Sequence, residues 1–215
     1  MGKIIFVSGI DTDIGKTVAT GFYAKCLMEQ GYSVITQKMI QTGCEGVSSD
    51  ILQHRQMQNM PLTQEDKDGI TCPYLFHYPC SPHLAAEMEN TVIDTHKIAE
   101  ASQLLAEKYD YVLLEGAGGL AVPYDSRHTT LDYIAEQQLP LILVTSGRLG
   151  SINHTLLSLM ACQQKQIPLI SLIYNSYPQT DEIIQQSTLN YLRTYIECHF
   201  PEAEFLIMDK QEDVR

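Results

Sequence analysis

A glycine-containing loop near the start of the chain constrains its fold more than any other feature. An apolar segment of strand length, Ile4 to Ser8, precedes the run Gly9-Ile-Asp-Thr-Asp-Ile-Gly-Lys-Thr17, and an apolar-periodic segment, Val18 to Met28, follows it. This order is typical of a phosphate-binding loop, whose backbone N–H groups hold polyphosphate oxygens at a helix N-terminus. In this interpretation Lys16 reaches the outer phosphates and the Thr17 hydroxyl binds Mg²⁺. The loop therefore predicts binding of a nucleoside triphosphate.

The spacing of the glycines departs from the commonest form of this loop. Five residues separate Gly9 from Gly15, where the common pattern has four, and Ile10 stands at the position of the first glycine. The departure indicates a subfamily of phosphate-binding proteins. A glycine-rich turn with a surface lysine is the alternative, and we disfavour it because the strand, Gly15, Lys16-Thr17 and the helix all agree.

Apolar runs of strand length alternate with helical patterns along the whole chain. We predict strands at 3–8, 33–38, 111–115, 139–146, 167–174 and 203–208, and helices at 16–30, 49–58, 82–89, 95–107, 131–137, 151–164 and 181–195. This alternation predicts an α/β fold: a doubly wound, mainly parallel sheet with helices on both faces. At 215 residues and 44% apolar content, the chain fits one compact domain spanning 1–215.

Charge and cysteine content narrow the possible partners and compartment. The formal net charge of −12 argues against sequence-independent binding to nucleic acid or to anionic lipid. The six cysteines form no CxxC pair and no zinc-like spacing, which favours reduced thiols. The predicted first strand leaves no room for a signal peptide, and no apolar run reaches the length of a membrane span. We therefore expect a cytoplasmic protein.

Polar residues at the strand ends are the candidates for function, because ligands of such sheets collect outside the carboxyl ends of the strands. Lys38 closes an apolar strand, and Asp50 lies at the start of the next predicted helix. A lysine reaching to the surface and a helix-capping or first-turn acid are the plain alternatives. The position of Lys38 beside the phosphate-binding loop favours a functional role.

The third predicted strand ends in Glu115, which is followed by Gly116-Ala-Gly-Gly119. A strand-end carboxylate can hold Mg²⁺ directly or through water, and the glycines allow the backbone to pass close to a ligand. A glutamate before a flexible turn is the alternative. Farther on, Leu149-Gly-Ser-Ile-Asn-His154 predicts a turn and helix start suited to an anion, although a serine cap explains it nearly as well. We assign no catalytic role to Ser81-Pro82-His83.

Taken together and in order, these motifs resemble the dethiobiotin synthetase family. The resemblance covers roughly the first four fifths of the chain. It rests on the phosphate-binding loop, Lys38 with Thr42-Gly43, Ser49-Asp50, Ser81-Pro82-His83, Glu115 to Gly119, Leu149 to His154, and Asn175. It implies a homodimer of the phosphate-binding-loop fold that converts 7,8-diaminopelargonate, CO₂ and ATP, with Mg²⁺, to dethiobiotin, ADP and phosphate.

The resemblance also implies roles for individual residues. One substrate amine takes up CO₂ to form a carbamate, which attacks the γ-phosphate, and the second amine then closes the ring. The catalytic residues would be Lys16, Lys38 and Thr12, with both lysines acting electrostatically. The Mg²⁺ ligands would be Thr17, Asp50 and Glu115. The nucleotide would contact Asp13, Ile14, Gly15, Lys16, Thr17, Val18, Glu115, Gly116, Gly118 and Asn175, the last at the base. The diamine substrate would contact Lys38, Thr42, Gly118, Gly119, Gly150, Ser151 and Asn153, with its carboxylate bound by the partner chain at the dimer interface.

The chain departs from the family pattern mainly after Phe205. The Gly-x-x-Pro loop that commonly packs beside the base has no counterpart there, so the preference for ATP over another nucleoside triphosphate stays open. Asp13 stands where glutamate is frequent, and Met39 where proline is usual.

Two other functions are compatible with the same fold. A switch ATPase of the chromosome-partitioning type would carry an extra lysine early in the loop, where Asp11 and Thr12 stand here. A glutamine-dependent amidoligase would normally carry a glutaminase domain, for which 215 residues leave no room. Both are less favoured than the synthetase.

Overall fold

The protein is built on a parallel β-sheet whose two faces are both covered. The computed structural model describes residues 1–178 and 181–209. Neighbouring residues of a strand point to opposite faces of the sheet, and both Val112 and Leu113 in its middle are fully buried. The predicted α/β class is therefore confirmed. Part of the divergent segment after Phe205 lies outside the described residues.

The strands and helices alternate along the chain. The strands are β1 (Lys3–Gly9), β2 (Val34–Lys38), β3 (Gln41–Thr42), β4 (Leu75–Phe76), β5 (Tyr111–Gly119), β6 (Leu141–Ser146), β7 (Leu169–Asn175) and β8 (Glu204–Met208). The helices are α1 (Lys16–Glu29), α2 (Ser49–Met57), α3 (Gln64–Lys67), α4 (Pro82–Met88), α5 (Thr95–Ala106), α6 (Thr130–Glu136), α7 (Ser151–Gln164) and α8 (Glu182–His199).

The main sheet has six strands in the order β2-β5-β1-β6-β7-β8, and every pair is parallel. The strand that leads into the phosphate-binding loop, β1, lies inside the sheet between β5 and β6. All carboxyl ends of these strands meet at one edge, which is where parallel sheets of this kind bind ligands. The topology thus brings the ends of β1, β2 and β5 together.

Three features of the structure differ from the sequence predictions. The four-residue helix α3 and the two-residue parallel pair of β3 and β4 were not predicted. The predicted end of the third strand at Glu115 is too early, because β5 continues to Gly119, which pairs with Gly9 of β1. The glycines after Glu115 are therefore part of the sheet and not a flexible turn.

Within the described residues, no helix combines the length and the apolar character that crossing a membrane would require.

Candidate functional site

The strand register places Lys38 directly beside Glu115. Both residues end the regular, fully paired part of their strands, and they are partners in the parallel register of β2 and β5. Residues paired in this way point to the same face of the sheet. The backbone reinforces the arrangement, because Met39 N–H donates to the carbonyl of Glu115 at 2.8 Å. The pairing of β2 with β5 thus brings together Lys38 and Glu115, the two charged residues predicted from sequence to end apolar strands.

The Lys38 ammonium lies between two carboxylates. Its Nζ is 2.7 Å from Glu115 Oε1 and 2.5 Å from Asp50 Oδ2, and it also donates to the carbonyl of Gly116 at 3.1 Å. Asp50 comes from the first turn of α2, which is capped by the Ser48 hydroxyl. The plain alternative for Lys38 is wrong, because the side chain is buried rather than reaching to the surface. Asp50 is not the helix cap, but it does lie in the first turn of α2, so its alternative as a first-turn acid stays open.

Glu115 is the centre of this cluster. Its side chain is fully buried, and its Oε1 accepts a hydrogen bond from the Thr17 hydroxyl at 3.2 Å as well as the one from Lys38. On the other side, His54 Nε2 lies 2.9 Å from Glu115 Oε2. The carboxylate therefore joins the phosphate-binding loop, β2 and α2 at a single point.

Charge pairing sets the ionisation of these groups. Burial alone would raise the pKa of Glu115, but the charge of Lys38 and the contact with His54 outweigh it and hold that pKa far below its ordinary value. Burial would likewise lower the pKa of Lys38, yet Glu115 and Asp50 outweigh it and raise that pKa. For Lys16, burial and the nearby charge of Lys38 act together to lower the pKa.

The phosphate-binding loop has the geometry that its function requires. Gly15 precedes α1 with φ +92°, a left-handed conformation that favours glycine, and a Cβ there would lie 2.4 Å from Asn175 Nδ2. The Lys16 side chain folds back so that Nζ donates to the carbonyl of Asp11 at 3.0 Å. The loop therefore opens directly into the first turn of α1, where N–H groups have no acceptor inside the helix and can face an anion.

A cavity of about 490 Å³ lies over these groups. Its lining includes most of the predicted site residues, namely Thr12, Asp13, Gly15, Lys16, Thr17, Val18, Lys38, Thr42, Asp50, Glu115 and Gly118. It also includes Ile40, Gln41, Gln53 and Ala117, which the sequence analysis missed. Of these, Gln53 carries a recognisable signal, because it follows Asp50 by three residues on the same face of a helix.

The predicted substrate residues of α7 lie away from this cavity. Gly150 caps the helix with φ +95°, and the Ser151 hydroxyl is buried against that of Ser146 at 3.1 Å. Gly150 and Asn153 are exposed, whereas Ser151 is fully buried. Arg148, just before α7, forms an ion pair with Asp11 of the phosphate-binding loop. The two regions are therefore linked, although Gly150, Ser151 and Asn153 are not among the residues that line this cavity.

Asn175 lies at the end of β7, where it braces the phosphate-binding loop. Its Nδ2 donates to the carbonyl of Ile14 at 3.0 Å, and its Oδ1 accepts from the N–H of Tyr177 at 3.0 Å. Among the described residues the side chain has no further hydrogen-bond partner, which leaves one N–H of the amide and one lone pair of its oxygen for a nucleotide base.

Thr17, Asp50 and Glu115 suit a magnesium ion bound together with phosphates. The described residues contain no group of three or more His, Cys, Asp or Glu side chains placed to hold a metal by themselves. Mg²⁺ usually takes only one or two protein carboxylates and completes its shell with phosphate oxygens and water. The Lys38 ammonium, lying between two carboxylates, shows that this point already attracts positive charge.

Sequence comparison decides the family. A family model described as an AAA domain matches residues 3–204. An ATP-dependent dethiobiotin synthetase of Haemophilus ducreyi is 73% identical over 98% of this chain and 100% of its own length. The chain belongs to the ATP-dependent dethiobiotin synthetase family. Two further dethiobiotin synthetases are similar to the chain. The one from Pasteurella multocida is 61% identical over 97% of this chain and 98% of its own length, and the one from Chlorobaculum tepidum is 51% identical over 87% and 78%. The family predicted from the motifs is confirmed.

Solved structures show how widely the fold of this family is shared. A plasmid partition protein from Borrelia burgdorferi bound to AMPPNP aligns with a TM-score of 0.59 over 100% of this chain and 89% of its own. A ParA family ATPase from Chlorobium tepidum aligns with a TM-score of 0.56 over 99% and 87%. Their identities of 13% and 17% show a common fold alone.

Proposed function

We propose that this chain forms dethiobiotin from 7,8-diaminopelargonate, CO₂ and ATP, as a ligase of biotin biosynthesis, and that residues 1–215 make up the synthetase domain. The observation that carries the proposal is that Lys16, Lys38, Asp50 and Glu115 line one and the same cavity. The chain is also 73% identical to an ATP-dependent dethiobiotin synthetase. A carbamate and a phosphoryl group both bring negative charge to such a cavity. Two lysines there are the complement that the reaction needs.

The chemistry relies on position and charge. Lys16 would bind the outer phosphates, while Lys38 would compensate the charge of the carbamate and of the phosphoryl group in transfer, and the Thr12 hydroxyl would lie beside them. No covalent protein intermediate is required, because positioning the two amines and the phosphoryl group supplies much of the rate. Thr42, Gly118 and Gly119 would flank the diamine.

Mg²⁺ would be held by the Thr17 hydroxyl and by Asp50 and Glu115, directly or through water. When bound, the ion would neutralise phosphate charge during the transfer. Thr17 and Glu115 are already in contact at 3.2 Å, and Asp50 reaches the same ammonium as Glu115. These oxygen donors match a hard cation.

A homodimer would complete the substrate site. The anion-binding start of α7, with Gly150, Ser151 and Asn153, lies outside the cavity of its own chain, and Leu157 and Met160 are exposed on the same helix. We infer that a second copy covers this apolar face and offers its α7 to the substrate carboxylate. Size-exclusion chromatography with light scattering tests this: the native protein should be a dimer, and Met160→Asp should shift it toward monomer.

The nucleotide base would lie by Asn175, whose amide keeps one donor and one acceptor site free within the described part of the chain. We propose ATP as the co-substrate, as the names of the relatives state, and leave other nucleoside triphosphates to the assay below. A cytoplasmic location, without nucleic-acid or membrane partners, is part of the same proposal and fits the net charge of −12.

One assay tests the reaction. Purified protein with Mg²⁺ and bicarbonate is given ATP, GTP or CTP, with and without 7,8-diaminopelargonate, while phosphate and dethiobiotin are followed, the latter by mass spectrometry. Phosphate release that depends on the diamine and matches dethiobiotin formation is expected. Hydrolysis that ignores the diamine and yields no dethiobiotin would contradict the proposal and favour a switch ATPase.

A further inference from the structure

His54 lies behind the candidate site, and the reaction proposed above gives it no role. It is completely buried in α2 and follows Asp50 by four residues, so the two side chains share one face of the helix. Asp50 reaches Lys38, and His54 reaches Glu115. Helix α2 thus contacts Lys38 of β2 and Glu115 of β5 through two polar side chains that lie one turn apart.

The two oxygens of Glu115 have different partners. Oε1 accepts from Lys38 Nζ at 2.7 Å and from Thr17 Oγ1 at 3.2 Å, on the side of the phosphate-binding loop. Oε2 lies 2.9 Å from His54 Nε2, and among the described residues neither atom has another hydrogen-bond partner. This distance is that of a hydrogen bond, but the two groups are poorly aligned, so the contact is short and bent.

An anchor on Oε2 has a physical consequence for Oε1. The terminal torsion of a glutamate is broad, so a carboxylate held on one side only can turn about its last bond. His54 restricts that turn from behind, and Oε1 then stays directed at Thr17. Partners that orient a metal-binding side chain typically change metal affinity by about 10–100-fold when they are removed.

We propose that His54 is a positioning residue that fixes the Glu115 carboxylate, so that Oε1 faces the phosphate-binding loop and Mg²⁺ is bound together with the nucleotide. The proposal rests on the proposed function, since it deepens the role of Glu115 there. His54 touches neither substrate nor nucleotide in this arrangement. Its effect passes through Glu115 alone.

Nucleotide binding tests the proposal without turnover. Calorimetry of AMPPNP binding is done over a range of Mg²⁺ concentrations and again in EDTA, for the native protein, His54→Leu and His54→Gln. We expect His54→Leu to need about 10–100-fold more Mg²⁺ for the same gain in affinity, with unchanged binding in EDTA. His54→Gln should recover part of the loss, because an amide N–H reaches a similar distance. His96→Leu, a change of an exposed helix histidine, is the matched control and should bind like the native protein.

The possible outcomes separate the two proposals. Native protein whose AMPPNP binding ignores Mg²⁺ would contradict the proposed metal site itself. If AMPPNP binding depends on Mg²⁺ to the same extent in the native protein and in His54→Leu, the role of His54 alone is contradicted. The same holds if His54→Leu loses as much affinity for AMPPNP in EDTA as it does with Mg²⁺. An equal loss in His54→Gln and His54→Leu would indicate simple packing. If the leucine variant does not fold, His54→Asn, which is polar but too short to reach Glu115, replaces it with the same expected loss.

Discussion

Helix α2 supports two buried charged clusters that are built in opposite ways. One contains Arg55 and Asp66, and the other contains Lys38, Asp50 and Glu115. Arg55 is the immediate neighbour of His54, and Thr36, which belongs to the first cluster, lies two residues before Lys38 on β2. The same helix and the same strand therefore carry both clusters.

The Arg55 cluster is fully satisfied. All five N–H donors of the guanidinium have acceptors: Asp66 takes a bidentate pair at 2.9 and 2.8 Å, and Thr36 Oγ1, the Thr36 carbonyl and Gln58 take the others. The Thr71 hydroxyl and the N–H of Thr63 complete the hydrogen bonds of Asp66. Such a network is rigid and has no capacity for a ligand.

The Lys38 cluster is only partly satisfied. Within residues 1–178 and 181–209, His54 Nε2 and Glu115 Oε2 have no well-aligned partner, and Asp50 and Lys38 line an open cavity. Buried polar groups without partners cost stability and are tolerated mainly where function needs them. One cluster therefore holds α2 in place, so that the other can stay ready to bind.

The largest expected effect comes from breaking the satisfied cluster. Arg55→Met leaves Asp66 buried without its partner and should lower the free energy of unfolding by about 3–5 kcal/mol, because an uncompensated buried charge is costly. Urea unfolding measures it, with Arg193→Met on the exposed surface of α8 as the control. The double variant Arg55→Met/Asp66→Leu should recover part of the loss. A loss below about 1 kcal/mol, as for an exposed ion pair, would remove the distinction between the clusters.

The next effect falls on activity. Lys38→Met should reduce kcat on the order of 100-fold or more, because it removes a charge directed at the transition state. Lys108→Met, which breaks an exposed pair with Glu65, serves as the control and should leave kcat unchanged. Steady-state kinetics on folded protein, checked by circular dichroism, gives the answer. Native kcat in Lys38→Met would place the lysine among structural residues.

A smaller effect is expected for the metal requirement. Asp50→Asn should raise the Mg²⁺ concentration needed for half-maximal activity by about tenfold, since the change weakens an oxygen donor without changing its size. A Mg²⁺ titration of dethiobiotin formation measures it, beside Glu100→Gln on the exposed surface of α5. An unaltered Mg²⁺ requirement would reduce Asp50 to a first-turn acid of α2.

The smallest expected effect is on acid stability. Burial would raise the pKa of Asp66, but the hydrogen bonds from Arg55 and Thr71 outweigh it and lower that pKa. The stabilisation is therefore complete above the ordinary aspartate value of 3.8 and is lost as the pH falls through the lower folded value. Unfolding measured from pH 6 to pH 2 should show a shallower decline in Arg55→Met/Asp66→Leu than in the native protein. If the free energy of unfolding declines equally in the double variant and in the native protein, the acid sensitivity belongs to Glu115 instead.

The sequence predicted the functional cluster better than the structural one. Lys38 and Glu115 were detectable because a charge at the end of an apolar strand is unusual, and parallel pairing brought them together. The pairing of Arg55 with Asp66 gave no such signal, since α3 is one helical turn long and too short for a periodic pattern. His54 was missed because its contact depends on the position of α2 over β5, which no local pattern encodes.

The glycines after Glu115 made the predicted third strand too short. The run after Glu115 has the composition of a turn, yet β5 continues through it, because Gly119 pairs with Gly9 beside the phosphate-binding loop. Glycine is also favoured at Gly118, where φ is +66° and a Cβ would lie 2.7 Å from Val122 Cγ2. Composition alone does not separate a glycine that turns the chain from one that lets two backbones approach.

The position of Lys38 between Asp50 and Glu115 also bears on how the protein can be handled. The enzyme carries an internal counter-ion for its own carboxylates, so folding does not have to wait for a metal, in contrast to small domains that unfold when chelators remove their zinc. Purification in EDTA should therefore yield intact protein. Magnesium becomes a reagent that is added with the nucleotide, and not a component that the fold must retain.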